Sequence, residues 1–192
     1  INFDVYILND VIPKPKVLSY LNESNFIWKK YNITTKYNNF YEKEINLSAE
    51  EIEFLFGKGN NQEECLYYNK IINKITNNSK NFNIIFLNNN NFKYIGRGCL
   101  CDCNFILVGI EKWWFIDFTG WNVAHEIGHF LGLSDIQCYG RTKKNLMNDE
   151  TKKIFFFNSN FLDQSQINSV VNKTKDLSKE EREKLVSLKA KN

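Results

Sequence analysis

The sequence predicts an α+β domain with a twisted mixed sheet, helices that back this sheet, and an irregular C-terminal part that carries a late helix. Short apolar runs typical of strands occupy the first two thirds of the 192 residues, of which 43% are hydrophobic. Segments with helical spacing of apolar residues separate these runs. Beyond residue 132 the pattern becomes irregular before a last helical stretch. The length suits one domain with a sizeable core.

The first part of the chain alternates strand and helix patterns. Asn2 to Leu8 is rich in Phe, Val, Tyr and Ile and predicts a strand. Pro13 and Pro15 are tolerated at a helix start, and apolar residues at helical spacing follow them. We therefore predict a helix from Lys14 to Lys30. A second strand is predicted over Ile33 to Tyr41.

The middle of the chain adds two helices and the inner strands. Ser48 and Glu51 form a capping-box pattern that starts a short helix to about Phe56. The next helix is predicted from Gln62 to Thr76. The residues expected to face inward from it are Leu66, Ile71, Ile72 and Ile75. Further strands are predicted at Phe82 to Leu87, Phe92 to Gly98 and Asn104 to Gly109.

Two helices are predicted near the C-terminal end. Asp163 with Gln166 has the pattern that caps a helix, which we place up to Val171. Ser178 with Glu181 repeats this pattern and predicts a separate, highly charged final helix. We therefore expect one catalytic domain, followed by a charged helical tail.

The predicted domain covers residues 1–175, with an upper subdomain to about residue 132 and a lower one from 133 to 175; the tail covers 176–192.

The net charge of +3, without a dominant basic run, indicates neither nucleic-acid binding nor membrane attraction. We expect a monomer. No apolar stretch approaches the roughly 20 residues that span a bilayer. No basic segment followed by an apolar one follows Ile1, so a signal peptide is either absent or already removed.

The stretch HEIGHFLGLSD, residues 125–135, has the spacing of a zinc site. His125 and His129 are four residues apart on a predicted helix, so both can point toward one ion. Glu126 can take a proton from a zinc-bound water. Either Thr119 or Asn122 can cap this active-site helix.

The chain has two histidines, and both belong to this pattern, so the third zinc ligand must be another residue type. Gly132 permits a sharp turn at the end of the helix. Asp135 follows three residues later, and a carboxylate oxygen is an acceptable zinc donor. Met147, the single methionine, lies downstream in the sequence NLMN.

HEIGHFLGLSD followed by NLMN resembles the metzincin metallopeptidases, whose pattern is HExxHxxGxxH followed by a tight Met-containing turn below the zinc. The Asp at the third ligand position resembles the snapalysin type. The resemblance covers residues 125–147. It implies a metzincin-like zincin fold and a zinc-dependent endopeptidase in which His125, His129 and Asp135 bind one catalytic Zn²⁺. Glu126 would then activate the zinc-bound water that hydrolyses protein or peptide substrates, and Met147 would form an apolar floor.

Two alternatives remain open. In a gluzincin-type metallopeptidase, Glu150 would supply the third ligand in place of Asp135. In a catalytically inactive scaffold or interaction module, zinc would serve structure alone. The general base Glu126 favours the enzyme, because a structural site needs no base and uses four protein ligands.

The five cysteines form the second unusual feature. Cys99, Cys101 and Cys103 would share one side of an extended strand, with Cys138 and Cys65 as further partners. They can form disulfides, bind a second, structural zinc, or stay free thiols, one of which could reach the catalytic zinc. Disulfides would indicate a secreted protein, and free thiols a reducing compartment.

Overall fold

The structure is a computed structural model, and five strands and five helices form within its described residues. It describes residues 1–9, 11–56, 62–77, 79, 81–88, 96–97, 104–110, 119–136, 145–147 and 161–189. The strands are β1 (Asn2–Leu8), β2 (Lys36–Lys43), β3 (Phe82–Asn88), β4 (Gly96–Arg97) and β5 (Phe105–Ile110). The helices are α1 (Lys14–Lys29), α2 (Ala49–Phe56), α3 (Gln62–Thr76), α4 (Thr119–Phe130) and α5 (Gln164–Lys189).

The strands form one mixed sheet in the order β2-β1-β3-β5-β4. The first four in this order run parallel to their neighbours, and β4 pairs antiparallel with β5. Parallel strands with both faces covered are apolar along their length, and β1, β3 and β5 have this composition. The predicted mixed sheet with backing helices is therefore confirmed.

Alternating residues of the inner strands enter two separate cores, because successive side chains point to opposite faces of a sheet. Val5 and Ile84 lie in the core that α1 and α4 cover. Tyr6 and Ile85 lie in the core that α2 and α3 cover. The helix that carries the histidines thus packs on one face of the sheet. It is held against α1, where the buried indole of Trp28 donates a hydrogen bond to the carbonyl of Ala124 over 3.2 Å.

Two predictions for the outer elements need correction. The second strand begins at Lys36 and ends at Lys43, later than predicted. It lies at the edge of the sheet and is largely exposed. An exposed strand needs few apolar residues, so their positions in the sequence do not reveal where it begins and ends. Leu66 does not face inward, since 67% of it is exposed. The buried residues of α3 recur at one helical face, from which Leu66 is rotated away. Among the residues of this helix whose burial the structure describes, they are Tyr68, Ile71, Ile72, Ile75 and Thr76.

The helix boundaries also differ in two places. Asn122 does not cap the histidine helix, because α4 begins at Thr119 and Asn122 lies buried within it. The two predicted C-terminal helices are one helix, α5, which runs through Ser178. No Gly or Pro interrupts the sequence between residues 171 and 178, so nothing breaks the helix there.

The capping predictions for Ser48 with Glu51 and for Asp163 with Gln166 are confirmed. The Ser48 N–H donates to Oε2 of Glu51 over 2.8 Å, and the Glu51 N–H donates to Oγ of Ser48 over 3.1 Å. The corresponding pair at the start of α5 is Asp163 and Gln166. Among the helices that the structure describes, none combines the length and apolar composition needed to cross a membrane.

Candidate metal centre

The C-terminal end of α4 has the hydrogen bonds of a Schellman cap. The N–H of Gly132 donates to the carbonyl of His129 over 2.8 Å, and the N–H of Leu133 donates to the carbonyl of Gly128 over 2.9 Å. Gly132 has a φ of 84°, the left-handed conformation that the sequence predicted for it. The cap ends the helix and returns the chain toward the face that carries the histidines.

Gly132→Ala should lower the free energy of unfolding by about 1–2 kcal/mol, the cost of placing a Cβ in the left-handed region. A Cβ there would meet no atom within 4 Å, so crowding adds nothing to this cost. Urea unfolding measures the loss. Gly132→Asn is the matched control and should lose less, because Asn enters this region more readily. Equal losses for Ala and Asn would contradict the explanation from φ.

The turn brings Asp135 to both histidines. Its Oδ1 lies 3.2 Å from Nε2 of His125 and 3.3 Å from Nε2 of His129. Two donor atoms bound to one tetrahedral zinc lie about 3.3–3.4 Å apart, given bond lengths of about 2.0–2.1 Å. These two distances therefore match two edges of a zinc coordination tetrahedron.

Glu126 lies beside these atoms and is 5% exposed. One ligand atom from each of His125, Glu126 and His129 can be chosen so that all lie within 4.8 Å of one another. The carboxylate oxygen of Asp135 lies within 3.3 Å of both Nε2 atoms, which makes Asp135 the candidate for the third donor. Glu126 remains close enough to act on a molecule bound at the same place.

Backbone carbonyls fix both imidazole rings. Nδ1 of His125 lies 2.8 Å from the carbonyl oxygen of Leu146, and Nδ1 of His129 lies 2.8 Å from that of Leu133. Because a carbonyl can only accept, each Nδ1 carries the proton and donates it. A histidine that binds a metal commonly donates its second ring N–H in this way. Both Nε2 atoms consequently face Asp135.

The charged groups of the site shift one another's pKa values in opposite directions. Burial favours the neutral ring of His129, but the hydrogen bond with Asp135 and the negative charges of Glu126 and Asp135 outweigh it and raise the pKa of His129 to about 9. Burial likewise opposes the ionisation of Asp135, yet hydrogen bonds from His125 and His129 hold its pKa below the usual range. The acidic side chains thus create an environment that favours a positive charge.

Met147 lies directly below the helix turn that joins the two histidines. It is fully buried, and its Sδ packs so closely on the Cα of Gly128 that a Cβ there would collide with it. Gly128 is not among the site residues predicted from the sequence. A glycine inside a helix is unfavourable and therefore indicates a packing constraint.

Two further residues of the site were also missed. The ring of Trp121 lies 5.0 Å from that of His125, one helical turn away on the same face. Asn145 is buried at the start of the turn that contains Met147. Its role follows from contacts with a distant helix, which the sequence does not indicate.

Other predicted site residues fall outside the described part of the chain. They are Cys99, Cys101, Cys103, Cys138 and Glu150. Cys65 lies in α3, where its side chain is not described. The disulfide, second-zinc and gluzincin predictions therefore stay predictions.

Comparison with known proteins supports a zinc-metallopeptidase-like fold. No protein-family model and no curated protein sequence matches the chain. Archaemetzincin from Methanopyrus kandleri is similar in structure, with a TM-score of 0.55 and 13% identity over 91% of this chain and 96% of that chain. Metalloproteinase-II from Bacteroides fragilis has a TM-score of 0.50 and 14% identity over 90% of this chain and 52% of that chain. At such identities the likeness establishes the fold alone.

Proposed function

We propose that the chain is a zinc-dependent endopeptidase of the metzincin type, with the HExxHxxGxxD ligands of the snapalysin-like branch. The observation that carries the proposal is the position of Asp135 Oδ1, 3.2 and 3.3 Å from the two histidine Nε2 atoms. The metallopeptidase-like fold supports it. The proposed catalytic domain is residues 1–175, and its substrates are proteins or peptides.

The donor set suits a catalytic zinc. Two imidazole nitrogens and one carboxylate oxygen are common ligands of such sites, and three protein ligands leave a fourth position open. In this proposal His125, His129 and Asp135 hold the ion. When bound, zinc would polarise the carbonyl group of the scissile peptide and lower the pKa of the attacking water.

Glu126 is the proposed general base. Its carboxylate accepts a proton from the attacking water and passes it to the nitrogen of the leaving amine. The carbonyls of Leu133 and Leu146 keep the two imidazoles oriented throughout. Met147 packs against Gly128 in the turn of α4 that separates the two histidines. In this role it corresponds to the methionine of a Met-turn and does not have to touch the metal.

The competing functions make different demands on the site. A gluzincin-type enzyme would use Glu150 as its third ligand and would leave Asp135 without a role at the histidines. An inactive zinc-binding scaffold would have no use for Glu126. The contacts of Asp135 with both rings favour the metzincin-type ligand set.

Counting zinc per chain by elemental analysis tests the proposal. We expect one zinc in the parent protein, loss of this zinc in Asp135→Ala, and its retention in Glu150→Ala, which serves as the matched control. Zinc lost from Glu150→Ala and kept by Asp135→Ala would establish the gluzincin alternative. A second zinc in the parent would assign a metal to the cysteines. No zinc after incubation with excess Zn²⁺ would overturn the proposed function.

A further inference from the structure

One peptide group connects the proposed ligand His125 to the turn that contains Met147. The carbonyl at one end of this group, that of Leu146, accepts the hydrogen bond from Nδ1 of His125 over 2.8 Å. The N–H at its other end, that of Met147, donates to Oδ1 of Asn145, also over 2.8 Å. Because a peptide group is planar, the atom that holds the N–H end also sets the direction of the carbonyl.

The side chain of Asn145 is in turn fixed by the start of α5. Its Nδ2 donates to Oε1 of Gln166 over 2.7 Å, and both residues are buried. The orientation of this amide follows from its partners, since the Met147 N–H requires an acceptor and Gln166 Oε1 requires a donor. In addition, Nε2 of Gln166 lies 3.5 Å from Oδ1 of Asn145, so the two amides lie side by side.

Gln166 cannot easily turn away, because it forms part of the α5 cap. Its Oε1 also accepts the N–H of Asp163 over 3.0 Å, while Oδ1 of Asp163 accepts the N–H of Gln166 over 2.9 Å. Rotation of the Gln166 amide would break the hydrogen bonds to Asn145 and Asp163 together. The start of α5 therefore acts as a fixed support for Asn145.

We infer that Asn145 is a positioning residue, which fixes the Leu146–Met147 peptide and thereby the ring of His125, so that the start of α5 is coupled to the metal centre. The inference rests on the proposed function insofar as His125 is taken as a metal ligand. Without the Asn145 amide, the buried Met147 N–H would lose its acceptor, and the plane of the peptide would be less firmly fixed. Backbone hydrogen bonds from Leu146 to Phe161 and from Ile136 to Met147 would remain, so the Leu146 carbonyl would hold Nδ1 of His125 more loosely rather than lose it.

The second histidine provides an internal control. His129 is held by the carbonyl of Leu133, which belongs to the cap of α4 and not to the Asn145 turn. The chain has two histidines, so each ring can be followed separately in protein labelled with isotopic histidine. A loss of Asn145 should affect His125 and spare His129.

The experiment compares the parent protein with Asn145→Ala by NMR, with and without added Zn²⁺. We expect the Nδ1 proton of His125 to exchange faster with water in Asn145→Ala, while that of His129 is unchanged. Zinc affinity, measured by competition with a chelator, should fall about tenfold, the lower end of the range for residues that orient a metal ligand.

Three further variants separate positioning from general destabilisation. Tyr31→Phe removes the hydroxyl that accepts the N–H of Leu162 over 2.8 Å, close to the start of α5 but outside the Asn145 contacts; it should leave both histidine protons and the zinc affinity unchanged. Gln166→Met removes the acceptor for the Asn145 amide, so it should also speed exchange of the His125 Nδ1 proton and lower zinc affinity, but to a smaller extent. This variant tests the inference even if Asn145→Ala fails to fold. Gln166→Glu keeps the acceptor for Asn145 but loses the amide group beside Asn145 Oδ1, and it should disturb His125 less than Gln166→Met does.

The outcomes separate this inference from the function on which it rests. Unchanged His125 exchange and zinc affinity in both Asn145→Ala and Gln166→Met would overturn the inference and leave the proposed function standing. Equal changes at His125 and His129 would also overturn it, since they indicate general loosening. If the parent binds no zinc, the proposed function fails, and His125 exchange in the metal-free protein still decides whether Asn145 positions that ring.

Discussion

Glu126→Gln should lower kcat/KM for peptide hydrolysis by about 10²- to 10⁴-fold, the usual contribution of a positioned general base. Gln has nearly the same shape as Glu but cannot accept the proton of the attacking water at neutral pH. Since the proposed ligands are His125, His129 and Asp135, the variant should keep one zinc per chain. Hydrolysis of a fluorogenic peptide and elemental analysis of the same preparation measure the two effects.

Glu53→Gln is the matched control for this prediction. Glu53 is an exposed residue of α2, which packs on the opposite face of the sheet, and the same substitution there should change neither activity nor zinc content. If Glu126→Gln loses its zinc, Glu126 is a ligand and not a base. If it keeps both zinc and full activity, the proposed mechanism is wrong.

The local patterns of the sequence predicted those parts of the structure that depend on neighbouring residues. The HExxH spacing places two histidines on one helical face whatever the rest of the chain does. The left-handed φ of Gly132 follows from the local need to end α4. The capping box of Ser48 and Glu51 likewise depends on a separation of three residues. In each case one turn of helix contains all the atoms involved.

Local sequence patterns are insufficient where tertiary packing decides the structure. The inner strands lie between two layers of helices, so their apolar runs predicted them well, whereas the edge strand β2 has mixed composition and was misplaced. Leu66 was assigned to the core with the apolar residues of its predicted helix, but it lies on the exposed side of α3. The role of Asn145 depends on Gln166, which lies 21 residues away in the sequence. No local pattern indicates a contact between two amides at that separation.

The role of Gly128 also depends on tertiary packing, and its substitution is expected to have a large effect on stability. Gly128→Ala should lower the free energy of unfolding by about 1–3 kcal/mol, as overpacking of a core does, because the new Cβ collides with Sδ of Met147. Met147 is fully buried, so its Sδ can yield only by shifting within the packed core. At an ordinary helix position the same change would stabilise the protein by about 1 kcal/mol. Urea unfolding gives the sign, and zinc affinity should fall because the collision lies between the two histidines.

The Met147→Ala background tests whether this collision is the cause. Met147→Ala alone should cost about 2–5 kcal/mol through the cavity that it leaves. It also removes the atom with which the new Cβ collides, so Gly128→Ala in this background should become neutral or stabilising. A reversal of sign between the two backgrounds is the signature of direct contact in a double-mutant cycle. The same cost in both would mean that Gly128 is required for a reason other than Met147, and the floor beneath the histidines would then need another explanation.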